Sequence, residues 1–134
     1  MRGNINKEIR MEKMNVKPAT GKLGVLCVGL GAVTSTFMTG VLMARKGLAK
    51  PVGSMTQYDK MRVGRGENKK YLHYGEIVPL ANLNDIVFGA WDVYPANAYE
   101  SAVNAEVLKE KDINPVKDEL EKIVPMKAAF DHNY

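Results

Sequence analysis

Apolar residues recur at changing spacings along this chain, and each change marks an element. Leu23-Gly-Val-Leu-Cys-Val28 is a short, nearly unbroken apolar run, the length of a buried strand. Gly29-Leu30-Gly31 interrupts it. From Ala32 the spacing becomes helical, with Val33, Phe37, Val41, Leu42 and Ala44 as the apolar face. Lys46 and Gly47 end the helix: a basic last turn, then a residue free to take positive φ. A second β-favouring run, Ile86-Val87-Phe88, lies between Asn84-Asp85 and Gly89. Pro95 and Asn97 open a second helix. Its apolar face is Ala98, Ala102, Ala105 and Leu108, and its wet side is Glu106, Lys109, Glu110 and Lys111. Asn114-Pro115 reads as a third helix start, with Asn as N-cap and Pro in the first helical position. Val116, Leu120, Ile123 and Val124 form its buried stripe, and Pro125 stops it.

The remaining stretches lack such patterns. Residues 1–20 are polar and aperiodic, which predicts a mobile N-terminal tail. Residues 47–57 carry the glycines and proline of a loop, and residues 59–74 read as an exposed basic excursion. Two parallel strands and three helices predict an α/β fold, a partial Rossmann-type doubly wound parallel sheet over residues 21–134. The first strand of that topology is central and expects a neighbour on each side, yet no later strand is present to cover one of them. The expectation is the N-terminal piece of a longer protein.

Strand, glycine turn and helix are also the first half of a dinucleotide-binding unit. The first glycine permits the turn, the second lets the backbone approach a pyrophosphate, and the helix start offers N–H groups to the anion. The motif reads G-L-G-A-V-T, with Thr34 in place of the usual third glycine. A buried strand–turn–helix corner without a ligand satisfies the same pattern. Asp92, just beyond the second apolar run, stands where an acid would grip the adenosine ribose hydroxyls, and a carboxylate there favours NAD over its 2′-phosphorylated form. An ordinary turn aspartate is the alternative. Asp59 is nearer the usual spacing of about 20 residues, but nothing before it resembles a buried strand.

At 134 residues, 46% hydrophobic and 25% charged, the chain suits one domain of modest core. The net charge of +4 comes mainly from the first 22 residues and from Lys60 to Lys70. These cations lack the aromatic interleaving of an RNA-binding module and read as a solvated face, with no nucleic-acid partner expected. The single cysteine, Cys27, lies in the first strand and reads as a small core residue covered on both faces. No run reaches the ~18 apolar residues of a membrane span, and no signal-peptide pattern precedes Leu23, so a cytoplasmic location is expected and a membrane partner is not. His73 and His132 fit no metal-ligand spacing and read as surface histidines. Trp91 reads as a packing residue.

Four stretches carry a more specific likeness: GKLGVLCVGLGAVTSTFMTGV, RKGLAKPVGSMTQ, VPLANLNDIVFGAWDVYPANAYESAVNAEVLKEKDI and VKDELEKIVPMKAAFDHNY. In this order they resemble the N-terminal region of the bacterial-type inositol-3-phosphate synthase (myo-inositol-1-phosphate synthase) family, from Lys17 onward. Ala90 departs from a family glycine, and Gly64–Tyr74 diverges. The resemblance implies NAD-dependent isomerisation of D-glucose 6-phosphate to 1D-myo-inositol 3-phosphate. Hydride leaves C5, an enol closes the ring onto C1, and the hydride returns. It further implies that Gly29, Leu30, Gly31, Ala32, Val33 and Thr34 line the NAD pyrophosphate, that Asp92 with Val93 holds the adenosine ribose, and that Ser54, Thr56 and Gln57 lie near the cofactor. The family's catalytic lysines fall beyond residue 134, so this chain alone is expected to be inactive, and the full-length enzyme to be a homo-tetramer. A free-standing nucleotide-binding or regulatory module and a small basic nucleic-acid-binding protein are the competing readings.

Overall fold

The computed structural model describes Lys17 and residues 20–129. Nearly all of the expected tail, residues 1–20, lies outside the described residues, as do Phe130 and His132. Strand β1 (Leu23–Val28) runs parallel to β4 (Ile86–Asp92), and β4 runs parallel to β5 (Met126–Lys127), in the order β1-β4-β5. Parallel neighbours need long crossovers. Helix α1 (Ala32–Arg45) begins the first of them, and α4 (Ala98–Asn104), α5 (Glu110–Ile113) and α6 (Lys117–Leu120) lie in the second. The expected α/β architecture is therefore present as one strand–helix–strand–helix–strand run.

The helices cover one face of the sheet. Cys27, Phe88 and Ala90 meet the core formed by Met38, Leu42, Ala98, Ala102, Ile113, Val116 and Leu120. Among the described residues nothing covers the other face: Leu26 is 61% and Val28 91% exposed. This corrects the expectation for Cys27, which is half-buried and covered on one face only. Among the described residues β1 is an edge strand, paired with β4 alone. Ala90 points into the core, 1% exposed, so its methyl fills space between sheet and helices.

Helix α1 begins and ends where expected, with Lys46 as C-cap and Gly47 at φ +67. Its fully buried face matches the expected one only at Leu42. Ser35, Met38, Thr39 and Leu42 are buried, while Val33 is 85% and Phe37 45% exposed. The two hydroxyl residues can be buried because the helix itself satisfies them. Thr39 Oγ1 donates to the Ser35 carbonyl at 2.8 Å and Ser35 Oγ to the Ala32 carbonyl at 3.3 Å. Their small side chains face a helix that offers Ala98 and Ala102.

The second expected helix, α4, starts at Asn97, and Asn97 is its N-cap. Its Oδ1 accepts from the Glu100 N–H at 3.0 Å, and Glu100 Oε2 accepts from the Asn97 N–H at 2.9 Å, a reciprocal capping box. The helix is shorter than expected and stops at Asn104, because Glu106 turns to φ +53. Leu108 nonetheless packs against the core. The third helix also differs. It starts at Glu110, and Asn114 is not an N-cap but lies within the helical path at φ −55, ψ −36. Pro115 has no N–H, and residues Asn114–Val116 tighten into a 3₁₀ turn between α5 and α6. Of the expected stripe, Val116 and Leu120 are buried, Ile123 packs at the margin, and Val124 is 62% exposed. Lys46 joins this segment to α1: its Nζ lies 2.6 Å from Glu119 Oε1 and donates to the Pro115 carbonyl at 2.8 Å. That contact holds the Glu119 carboxyl below its usual pKa.

Residues 47–85 leave the sheet and return. They contain α2 (Met55–Tyr58), an antiparallel hairpin of β2 (Lys60–Val63) and β3 (Lys70–His73), and α3 (Tyr74–Ile77). The hairpin is exposed almost throughout, as the basic excursion was expected to be, but it is ordered into strands. His73 is exposed and caps α3, in line with a surface role. Arg45 fixes the point of return. Its Nε donates to the Leu83 carbonyl at 2.7 Å, its Nη2 donates to the Ile86 carbonyl, and its guanidinium lies 5.5 Å from the Phe88 ring centroid. Among the described residues, no helix is long and apolar enough to cross a membrane.

Candidate functional site

The carboxyl ends of β1 and β4 lie side by side, with Val28 paired to Trp91. The glycine turn leaves β1 at that point and Asp92 ends β4. Gly29 adopts φ +95, a conformation that a Cβ would strain, and its N–H donates to the Trp91 carbonyl at 2.7 Å. Leu30 follows with its side chain buried, 2% exposed, which anchors the turn in the core. Its N–H donates to Asp92 Oδ2 at 2.6 Å. Gly31 is then the N-cap of α1, in extended conformation and with no side chain capping the helix.

That start suits an anion. The N–H groups of the first helical turn have no intrahelical acceptors, and among the described residues no side chain supplies one. A Cβ built on Gly31 would meet nothing within 4 Å, so the chain's own packing does not require glycine there. The open space lies in front of the helix start, where a close approach of the backbone to pyrophosphate needs it. The residues therefore fit the phosphate part of a dinucleotide.

Asp92 is held on both oxygens. Oδ1 accepts from the Tyr94 N–H at 3.0 Å and Oδ2 from the Leu30 N–H. The Tyr94 bond, then those of Leu30 and Val93, hold the carboxyl below its usual pKa, against the opposing effect of burial. An ionised carboxylate has about four acceptor directions. The Leu30 and Tyr94 N–H groups take two of these and the Val93 N–H also bears on the carboxylate, which leaves capacity for a ribose hydroxyl.

Asp92 lines two cavities. One, of about 250 Å³, also has Leu30, Gly31, Ala32 and Tyr94 in its wall. The other, of about 320 Å³, is bounded by Val93, Tyr94, Pro95, Pro125 and Lys127. The fold thus brings together Leu30, Gly31, Ala32, Asp92 and Val93 of the residues expected at the site. Gly29, Val33 and Thr34 line neither cavity. Gly29 shapes the turn from behind, and Val33 projects into solvent from the first turn of α1. Ser54 and Gln57 stand apart, in a groove of about 520 Å³ along the Phe37–Val41 flank of α1. Thr56 approaches Ser54, hydroxyl to hydroxyl, at 3.3 Å. Trp91 is half-buried and shares with Val28 the face of the sheet that the helices leave open.

Tyr94 and Lys127 are site residues that the sequence pattern does not single out. Tyr94 is placed by the backbone turn that Asp92 closes two residues earlier. Lys127 is placed opposite Asp92 by β5, and the Ala128 N–H donates to the Asp92 carbonyl at 2.9 Å. A strand of two residues has no periodicity to read.

Comparison with known proteins identifies the family to which this fold belongs. Residues 23–134 match the family model described as Myo-inositol-1-phosphate synthase, an NAD-binding domain. Inositol-3-phosphate synthase 1 of Bacteroides thetaiotaomicron is 61% identical over 123 residues, which is 91% of this chain and 28% of that protein. Inositol-3-phosphate synthase isozyme 1 of Arabidopsis thaliana is 33% identical over 128 residues, 84% of this chain and 24% of that one. The crystal structure of inositol-3-phosphate synthase from Caenorhabditis elegans superposes with a TM-score of 0.71 at 27% identity, covering 86% of this chain and 25% of that one. The chain thus spans about a quarter of the length of the relatives it matches. With the glycine turn, the helix start and the acid of β4 in one corner, the chain belongs to the myo-inositol-1-phosphate synthase family and carries part of its NAD-binding domain.

Proposed function

We propose that this chain is the cofactor-holding part of an inositol-3-phosphate synthase, an isomerase that converts D-glucose 6-phosphate to 1D-myo-inositol 3-phosphate. The observation that carries this reading is the meeting of Asp92 with the glycine turn at the carboxyl ends of two parallel strands. Bound NAD supplies a hydride acceptor that can return what it takes, so the overall reaction is an isomerisation. The chain's own part is to bind and orient. The backbone of Gly31, Ala32, Val33 and Thr34 faces the pyrophosphate, and Asp92 beside Val93 accepts from the adenosine ribose hydroxyls. A carboxylate at that point disfavours a 2′-phosphate by like-charge repulsion. Turnover needs acid–base groups and a sugar-phosphate site that this corner does not contain, so the 134-residue chain is inactive alone. Glucose 6-phosphate, assembly as a tetramer and a cytoplasmic setting belong to the full-length enzyme.

Calorimetric titration of the chain with NAD tests the reading. Wild type should bind, and Asp92→Ala should bind at least about tenfold more weakly, the equilibrium weight of one charge-assisted hydrogen bond. A folded wild-type chain that takes up no NAD would remove the proposal.

A further inference from the structure

Asp92 does more in this structure than offer oxygens to a ligand. The turn it faces has few other restraints. Gly29 at φ +95 and the extended Gly31 are the two most permissive residue positions of the corner, and no side chain caps the helix that follows. Between them, the Leu30 N–H is tied to a residue 62 positions away in sequence, at 2.6 Å, and its acceptor is a carboxylate. Gly29 is tied to the same strand end through the Trp91 carbonyl. The carboxylate is itself aimed by the Tyr94 N–H on its other oxygen. Among the described residues two side chains thus fix a flexible turn: Leu30 packs it into the core, and Asp92 holds its backbone N–H.

We infer that Asp92 is the positioning residue of the glycine turn: by holding the Leu30 N–H it sets the Gly29–Gly31 backbone in its phosphate-accepting shape before any cofactor arrives. The inference rests on the NAD reading of this corner and extends it. Asp92 acts on the pyrophosphate end of the cofactor through Leu30, in addition to any contact with ribose. The remaining acceptor directions of the carboxylate keep the two roles compatible. A nucleotide that makes no ribose contact should therefore still depend on Asp92.

The test combines two readouts on the whole chain. The first is hydrogen exchange of the Leu30 amide without ligand, by NMR. It should be protected in wild type and exposed in Asp92→Ala, with Asp92→Asn, which keeps one neutral acceptor, in between. The second is affinity for NAD and for an NAD analogue whose adenosine ribose lacks both hydroxyls. Asp92→Ala should weaken binding of the analogue by about tenfold or more, since the loss of a charge-assisted bond in the turn does not depend on ribose. Equal affinity of wild type and variant for the analogue would overturn the inference and leave Asp92 a ribose contact alone. If wild type binds neither ligand, the NAD reading fails, and the Leu30 amide decides the positioning role separately: unchanged exchange in the variant overturns it. Should Asp92→Ala not melt cooperatively, an unprotected Leu30 amide in wild type would overturn it as well.

Discussion

The two faces of the β1–β4 pair are built from similar residues and meet opposite surroundings. On one, Cys27, Phe88 and Ala90 lie against α1 and α4. On the other, Leu26, Val28 and Val87 stand 61%, 91% and 48% exposed. A parallel strand that reads as continuously apolar is expected to be covered twice. Here the described residues cover it once. What stabilises this chain by its own contacts therefore sits on the helix side, whereas the candidate site sits at the strand ends, where neither face dominates. Asp92 and the glycine turn are held by hydrogen bonds to backbone, and they depend on packing only through the buried Leu30 side chain.

The largest test of this contrast lies within α1. Met38 is fully buried at the centre of the core, and Phe37, its neighbour in sequence, is 45% exposed at the edge of the same helix's packed side. Met38→Ala should destabilise the chain by about 2–5 kcal/mol, through lost transfer energy and the cavity left behind. Phe37→Ala should cost less, about 1–2 kcal/mol, since the ring keeps one edge-to-face contact with Phe88 at 5.6 Å. Urea melts of both variants measure the difference. Equal losses would mean that the Phe37 flank is as well packed as the Met38 flank.

The same helix shows what was legible beforehand. Its limits could be read from Gly31, Lys46 and Gly47, because chain reversal and capping are local. Its buried flank could not, because Val33, Phe37 and Val41 outweigh Ser35 and Thr39 in any count of apolar residues. The hydroxyls are buried only because each finds a carbonyl one turn back, a fact of geometry rather than composition. The start of α4 at Asn97 was legible for the same local reason, and Asn114 misled because Pro115 fits a 3₁₀ turn as well as a helix start. At the site, Asp92 could be placed from its position after an apolar run. Its bond to Leu30 could not, since it depends on the parallel register of strands more than sixty residues apart.

A smaller effect is expected from acid. The folded chain holds the Asp92 carboxyl below the ordinary value of 3.8, so folding favours its ionised form. That contribution is complete above pH 3.8 and is lost as pH falls through the lower, folded-state pKa. Asp92→Asn does not titrate. Its stability is therefore expected to be lower than that of wild type at neutral pH and to approach it below pH 3.8. Denaturant melts between neutral pH and acid follow the gap. A constant gap would show that the charge of Asp92 adds nothing to the two backbone bonds it accepts.

The smallest effect should come from the open face. Val28 is 91% exposed on an edge strand, and its side chain has almost no apolar surface to lose. Val28→Lys should change the stability of the isolated chain by no more than about 0.5 kcal/mol, as for other exposed positions. The same substitution adds a charge to a strand edge, which is a device proteins use against edge-to-edge association. The variant should therefore stay soluble at least as well as wild type while melting at nearly the same urea concentration. A loss comparable to that of Met38→Ala would mean that Val28 is packed in solution, and the two faces would then differ in partner rather than in exposure.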